Sequence, residues 1–143
     1  MIGVIVWPLA SIVSAQGQDR PFQFGLIGDM PYTYVQEKEY QNVLTALNAA
    51  DLAFVVHVGD TQNDPRGYYP NPSIGSLPCT DENYKTIYDS FQSVRHPFIL
   101  TPGDNDCADC HLVREPKIDP LDRLAQVRPM FYPAGRGLGT RTL

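Results

Sequence analysis

No apolar stretch of this 143-residue chain is long enough to cross a bilayer. The longest, Ile2 to Val13, falls short of the ~20 residues that a spanning helix needs. Residues 1–15 carry no charged side chain, and Val13-Ser14-Ala15 offers the small residues a signal peptidase favours before polar Gln16–Arg20. The segment is expected to be a signal peptide, although no basic side chain precedes its apolar run. The competing reading is a buried N-terminal strand or helix, which Trp7-Pro8 would interrupt. Export makes the protein secreted or periplasmic, with no stable membrane insertion after cleavage.

Glutamate is scarce: of the 16 acidic residues, 4 are Glu and 12 are Asp. Helix surfaces favour Glu, so the Asp excess points to turns, caps and ligands. Basic residues are scattered and the net charge is −5, which argues against nucleic acid as the main partner. Neither G-x-G-x-x-G nor G-x-x-x-x-G-K-[ST] occurs, so the common nucleotide-cradling loops are excluded. Cysteine is limited to Cys79, Cys107 and Cys110. In an exported chain that means one disulfide and one odd thiol. Cys107-Ala108-Asp109-Cys110 is a C-x-x-C, but it lies in an Asp-rich loop rather than the βαβ setting of a thiol-redox motif. Zinc would want another pair of ligands, and only His111 is adjacent.

What the chain does have is a recurrence. Apolar stretches run into Gly-Asp three times: Phe22–Ile27 into Gly28-Asp29, Leu52–Val58 into Gly59-Asp60, and Pro97–Pro102 into Gly103-Asp104. Each stretch has the Val, Ile, Leu and Phe of a buried strand. Each aspartate follows a strand's carboxyl end, where open α/β sheets place their binding crevice. Parallel neighbours would gather three carboxylates on one edge, a site for hard divalent cations. Asp60 ends the middle strand and is the natural bridge between Asp29 and Asp104.

Between these strands the spacing predicts helices. Tyr40, Val43, Leu44 and Leu47 mark one apolar face over about 35–50, and Tyr84, Ile87, Tyr88 and Phe91 another over about 81–94. Asp119 and Pro120 open a third, short helix with Leu121, Leu124 and Ala125 as its apolar face. Alternating strand and helix implies an α/β fold with parallel strands joined by right-handed crossovers. The loop from Asp64 to Pro78 is aromatic and Pro-rich, and is either a site cover or a plain surface excursion. Residues 133–143 read as an unfinished polar tail. The chain is expected to be the front part, 21–132, of a larger domain.

The three motifs, Gly28-Asp29-Met30-Pro31-Tyr32, Gly59-Asp60-Thr61-Gln62-Asn63 and Gly103-Asp104-Asn105-Asp106, resemble the calcineurin-like metallophosphoesterase superfamily over about residues 21–111. That family carries Asp-x-His, then Gly-Asp, then Gly-Asn-His-Asp/Glu, each after a strand. The resemblance implies a parallel βαβαβ half of its α/β sandwich, two divalent metal ions (Mn, Fe, Mg, Zn or Ca), and a small phosphoester as substrate. It makes Asp29, Asp60 and Asp104 the metal ligands.

Three departures stand out. Pro31 takes the place of a metal-binding histidine, Asp104 that of the metal-binding asparagine, and Asn105 that of the histidine that assists the leaving group. An amide donates a hydrogen bond but gives up no proton at neutral pH. The later histidines of the family are absent from the chain. Gly-Asp-x-Pro-Tyr, Gly-Asp-Asn-Asp and Asp109-Cys110-His111 are similar to a bacterial branch of the superfamily, so the departures read as a subfamily pattern.

Asn105 and His111 are therefore the candidate catalytic residues, His111 lending the acid that Asn105 lacks. Tyr32 follows Asp29 at the Asp-x-x-Tyr spacing of purple acid phosphatases and is a further candidate ligand. His57, inside a strand, reads as a core residue behind the ligands, and His96, before Pro97, as a surface residue. Cys79 opens the second helix and Cys110 follows the third strand, against which that helix should pack, so these two are expected to pair. The reading from a different class is a non-catalytic remnant, a cation-binding module without turnover.

Overall fold

The computed structural model describes residues 21–63, 78–113 and 117–142. The expected signal peptide and most of the Asp64–Pro78 loop lie outside them. Strands β1 (Gly25–Ile27), β2 (Val55–His57) and β3 (Phe98–Leu100) pair in parallel in the order β1-β2-β3. The strand that is central in sequence is therefore central in space. Helices α1 (Tyr34–Ala49) and α2 (Asp81–Gln92) form the two crossovers, and α3 (Pro120–Phe131) follows β3. Both connections step the same way across the sheet, so crossovers of one hand lay both helices on one face.

The helix starts follow from local chemistry. Thr33 caps α1 by accepting from the Gln36 backbone at 3.2 Å, and the Gln36 side chain accepts from the Tyr32 backbone at 2.6 Å. Thr80 caps α2 in the same way through Asn83 at 3.2 Å, with Asp81 and Glu82 complementing the helix dipole. Asp119 caps α3 through Leu121 at 2.7 Å, ahead of Pro120 at the first helical position.

The core joins Tyr40, Leu44 and Leu47 of α1 to Tyr84, Ile87 and Phe91 of α2 and to Val55, Phe98 and Leu100 of the sheet. Phe91 is its pivot, stacked on Phe98 with centroids 4.4 Å apart and edge-on to Phe131 at 5.9 Å. The opposite face of the sheet differs. Leu26, Val56 and Ile99 are in register across it, with Leu26 62% and Ile99 37% exposed. The expectation of buried strands is thus met on one face alone, because all three helices share a core with that face.

Other expectations need correcting. In α3 the apolar face is not Leu121, Leu124 and Ala125: Leu121 and Ala125 are exposed, while Val127 and Phe131 are buried. The helix packs through its C-terminal half, where Phe131 meets Phe91 and Tyr88. His96 is not a surface residue but fully buried. The segment expected as an unfinished polar tail docks over it: Leu138 bridges Phe98 with backbone bonds of 2.8 and 3.0 Å, and Thr140 donates to Val94. The His96 Nε2 sits 3.0 Å from the Leu47 carbonyl. Among the described residues no helix is long and apolar enough to cross a membrane.

Candidate metal centre at the carboxyl edge of the sheet

Past its carboxyl end each of β1 and β2 turns through an aspartate in the left-handed region, Asp29 at φ 56° and Asp60 at φ 53°. Aspartate tolerates this conformation better than most residues, and it reverses the chain within one residue of the preceding glycine. The turns lean on one another, the Asp29 N–H donating to the Gly59 carbonyl at 3.1 Å. Two glycines make the fit achievable. A Cβ on Gly59 would run into the Gly103 backbone, and one on Gly103 would run into the Asp60 carboxylate.

Asp106 ties the second and third turns together. One of its oxygens accepts from the Thr61 N–H at 2.8 Å and the Thr61 hydroxyl at 2.6 Å. The other accepts from the Asp60 N–H at 3.0 Å and the Gly103 N–H at 2.8 Å. Only 2% exposed, this carboxylate is satisfied by four donors and fixes where Asp60 points. The sequence reading gave it no role. Its signal was the fourth position of Gly103-Asp104-Asn105-Asp106, an acidic residue amid so much loop aspartate that only its burial distinguishes it.

Asp60 and Asp104 share the cleft rim. The Asn105 N–H donates to Asp60 Oδ1 at 3.2 Å and to Asp104 Oδ1 at 3.1 Å. Burial, and then the charges of Asp104 and Asp106, push the Asp60 carboxyl above its usual range despite that Asn105 bond. Across the rim, the Tyr32 hydroxyl donates to Asp29 Oδ1 at 3.0 Å. Burial, that bond and the surrounding carboxylates raise the Tyr32 phenol well beyond the ordinary range. Tyr32 thus holds its proton toward Asp29.

Among the described residues, neither candidate catalytic side chain is hydrogen-bonded to these carboxylates. The Asn105 amide nitrogen donates to the Gln62 carbonyl at 3.3 Å, so it is the backbone of Asn105, and not its amide donor, that meets the carboxylates. Gln62 is a junction in its own right. Its amide nitrogen donates to the Asn105 carbonyl at 2.6 Å, and its amide oxygen accepts from the Cys79 N–H and the Asn83 side chain, each at 2.8 Å. Cys79 and Cys110 are disulfide-bonded and Cys107 is free. His111 is exposed on the short 3-10 turn Ala108–Leu112, its Nδ1 2.8 Å from the Ala108 carbonyl.

His57 supports the edge from below. Its Nδ1 accepts from the Gly59 N–H at 3.1 Å, which leaves the proton on Nε2, facing the Met30 carbonyl at 3.4 Å. Burial lowers its affinity for a proton, outweighing the attraction of Asp106. A depressed histidine contributes stability that is present above the unfolded value of about 6.5 and lost as pH falls below it. Urea denaturation between pH 7.5 and 5.5 should therefore show falling stability, with a flatter profile in His57→Asn. The raised Asp60 carboxyl has the opposite sign, since its protonation favours the fold as pH falls toward its folded value. Parallel profiles for wild type and His57→Asn would remove His57 from this account.

Among the described residues, no group of three His, Cys, Asp or Glu side chains already encloses a metal position. Asp60 and Asp104 lie together, with Asp29 and Tyr32 on the neighbouring turn. Comparison with family models, with curated proteins and with solved structures returned no match.

Proposed function

We propose that this edge binds divalent cations and serves phosphoester hydrolysis, in a protein of the calcineurin-like metallophosphoesterase type. One observation carries the reading: Asp60 and Asp104 lie together past the ends of adjacent parallel strands, each accepting from the Asn105 N–H. A cation relieves the repulsion between them. The donor set fits a hard ion, being carboxylate oxygens on short side chains with a phenol beside them. Asp29, Asp60 and Asp104 would hold the metal, two ions in the family pattern, with Tyr32 steadying Asp29. Bound metal would polarise a phosphoryl oxygen and acidify a water. The Asn105 N–H orients both carboxylates, and His111, exposed on the following turn, is the group left to supply a proton. A disulfide agrees with export to the periplasm or the exterior.

A cation-binding module without turnover is the second reading, favoured by the tie between the Asn105 amide and Gln62. Calorimetric titration with manganese tests the site itself. Asp60→Ala should abolish the binding heat, and Asp89→Ala, on α2 and paired with Lys85, should keep it. Unchanged heat in Asp60→Ala overturns the site. Release of p-nitrophenol from its phosphate ester by the manganese-loaded chain then separates hydrolase from module.

A further inference from the structure

The sheet face turned away from the helices is a continuous apolar surface. Phe22, Phe24 and Leu26 alternate onto it, and Val56 and Ile99 stand in register with Leu26. Phe54 joins them, stacked on Phe24 with centroids 5.3 Å apart. Val58 extends it toward the second Gly-Asp turn, its methyl filling the space that a Cβ on Gly28 would need. Of the eight large apolar side chains exposed among the described residues, five lie here: Phe22, Phe24, Leu26, Val58 and Ile99. Scattered apolar residues are ordinary on a surface, but a contiguous patch of this kind marks a place of contact.

We propose that this face is the interface of a homodimer, two copies stacking sheet on sheet about a twofold axis. Charge narrows the occupant first. The stretches that build the sheet and its turns, 21–36, 51–63 and 97–106, contain no Lys or Arg, and the net charge is −5, so an anionic lipid surface is not attracted to it. Shape narrows it next. Twisted sheets pack face to face ~10 Å apart with their strands within about 30° of each other, and an uncharged face of Phe, Leu, Val and Ile is its own complement. Area sets the last condition. A phenylalanine carries about 150–250 Å², and with Phe22 66% and Phe24 51% exposed beside Leu26, Val58 and Ile99, the face offers on the order of 500 Å². Two such faces bury about 1,000 Å², the lower limit for a specific interface. Because β2 is central, a twofold that superposes the faces stacks it on its counterpart and brings Val56 near the axis. None of the aspartates takes part, so the pairing does not depend on the hydrolase reading.

Sedimentation equilibrium on the full 143-residue chain reads the mass. At ~100 μM it should be twice 16.0 kDa, and it should fall toward the monomer on dilution into the low micromolar range, as an interface near the lower limit allows. Leu26→Lys and Ile99→Lys place a charge on the face without touching the core. Each should weaken the dimer about 10-fold or more, since pairing would bury an unpartnered ammonium, with the helical circular dichroism retained. Leu121→Lys, at an exposed apolar residue of α3, should leave the dimer as it is. The melting temperature should rise with concentration in the wild type and not in Leu26→Lys. A wild-type chain that stays monomeric overturns the interface. So does a dimer of unchanged strength in both face variants, which would assign association to the apolar run Ile2–Val13, and so does equal weakening by Leu121→Lys. Assembly that grows beyond two copies overturns it as well, because a contact of one face with itself closes at the dimer.

Discussion

Asp106→Ala is expected to cost about 3–5 kcal/mol, a large share of the ~5–15 kcal/mol that keeps an ordinary domain folded. Four donors converge on this carboxylate: the backbones of Asp60, Thr61 and Gly103 and the Thr61 hydroxyl. Hydrogen bonds to a charged acceptor contribute ~1.5–3 kcal/mol each, and donors left buried without it lose their water as well. The effects are not additive, since all four act through one group, which holds the total below a simple sum. Asp106→Asn should fall between. Each carboxylate oxygen accepts two of the bonds, so whichever way the amide turns, its NH₂ faces two donors and loses both. Urea denaturation with circular dichroism reads the series, and a change in Asp106→Ala below ~1 kcal/mol would show that the turns hold themselves. Manganese binding should weaken alongside, because Asp60 would lose the bond that sets its backbone.

The helix faces were legible in the sequence because they obey a short periodicity, and the sheet order because it follows a simple connection rule. Tyr40, Leu44 and Leu47, then Tyr84, Ile87 and Phe91, repeat at helical spacing, and the structure buries all six. The position of β2 between its neighbours follows the tendency of consecutive strands to lie side by side, and crossover handedness then puts both helices on one face. The ends of the strands were marked by Gly-Asp, but what those aspartates do to each other was not. That depends on Asp106 reaching back 46 residues to the Asp60 backbone, a contact with no local pattern. His96 was misplaced for a similar reason: its ring reaches the Leu47 carbonyl, 49 residues earlier, and Gly139 lies against the His96 carbonyl. In α3 the stripe Leu121, Leu124, Ala125 has correct spacing, yet the packing surface is set by where Phe91 waits for Phe131. Periodicity identifies a helix and leaves open which of its turns is buried.

Replacing Cys79 and Cys110 together by alanine should remove about 3–4 kcal/mol, the chain-entropy value for a closed loop of this length, the two being 31 residues apart. The bridge encloses α2, β3 and the third Gly-Asp turn, so the unfolded chain gains freedom in just the stretch that carries Phe91, Phe98 and Asp104. The native state loses something too. Gln62 is held to the Cys79 backbone at 2.8 Å and to the Asn105 carbonyl at 2.6 Å. With the anchor at Cys79 loosened, the second and third turns lose their shared brace. A fall in melting temperature on the order of 10 °C is expected, together with weaker manganese binding than stability alone predicts. Cys107→Ser should change neither. Burial and the Asp106 charge push the Cys107 thiol up, so the thiolate that would attack the bridge is scarce and the pairing does not reshuffle. Differential scanning calorimetry on wild type, the double alanine variant and Cys107→Ser decides it. A double variant that melts within a degree or two of wild type would mean that the turns are braced by Asp106 alone, with Gln62 and the bridge contributing nothing to the edge.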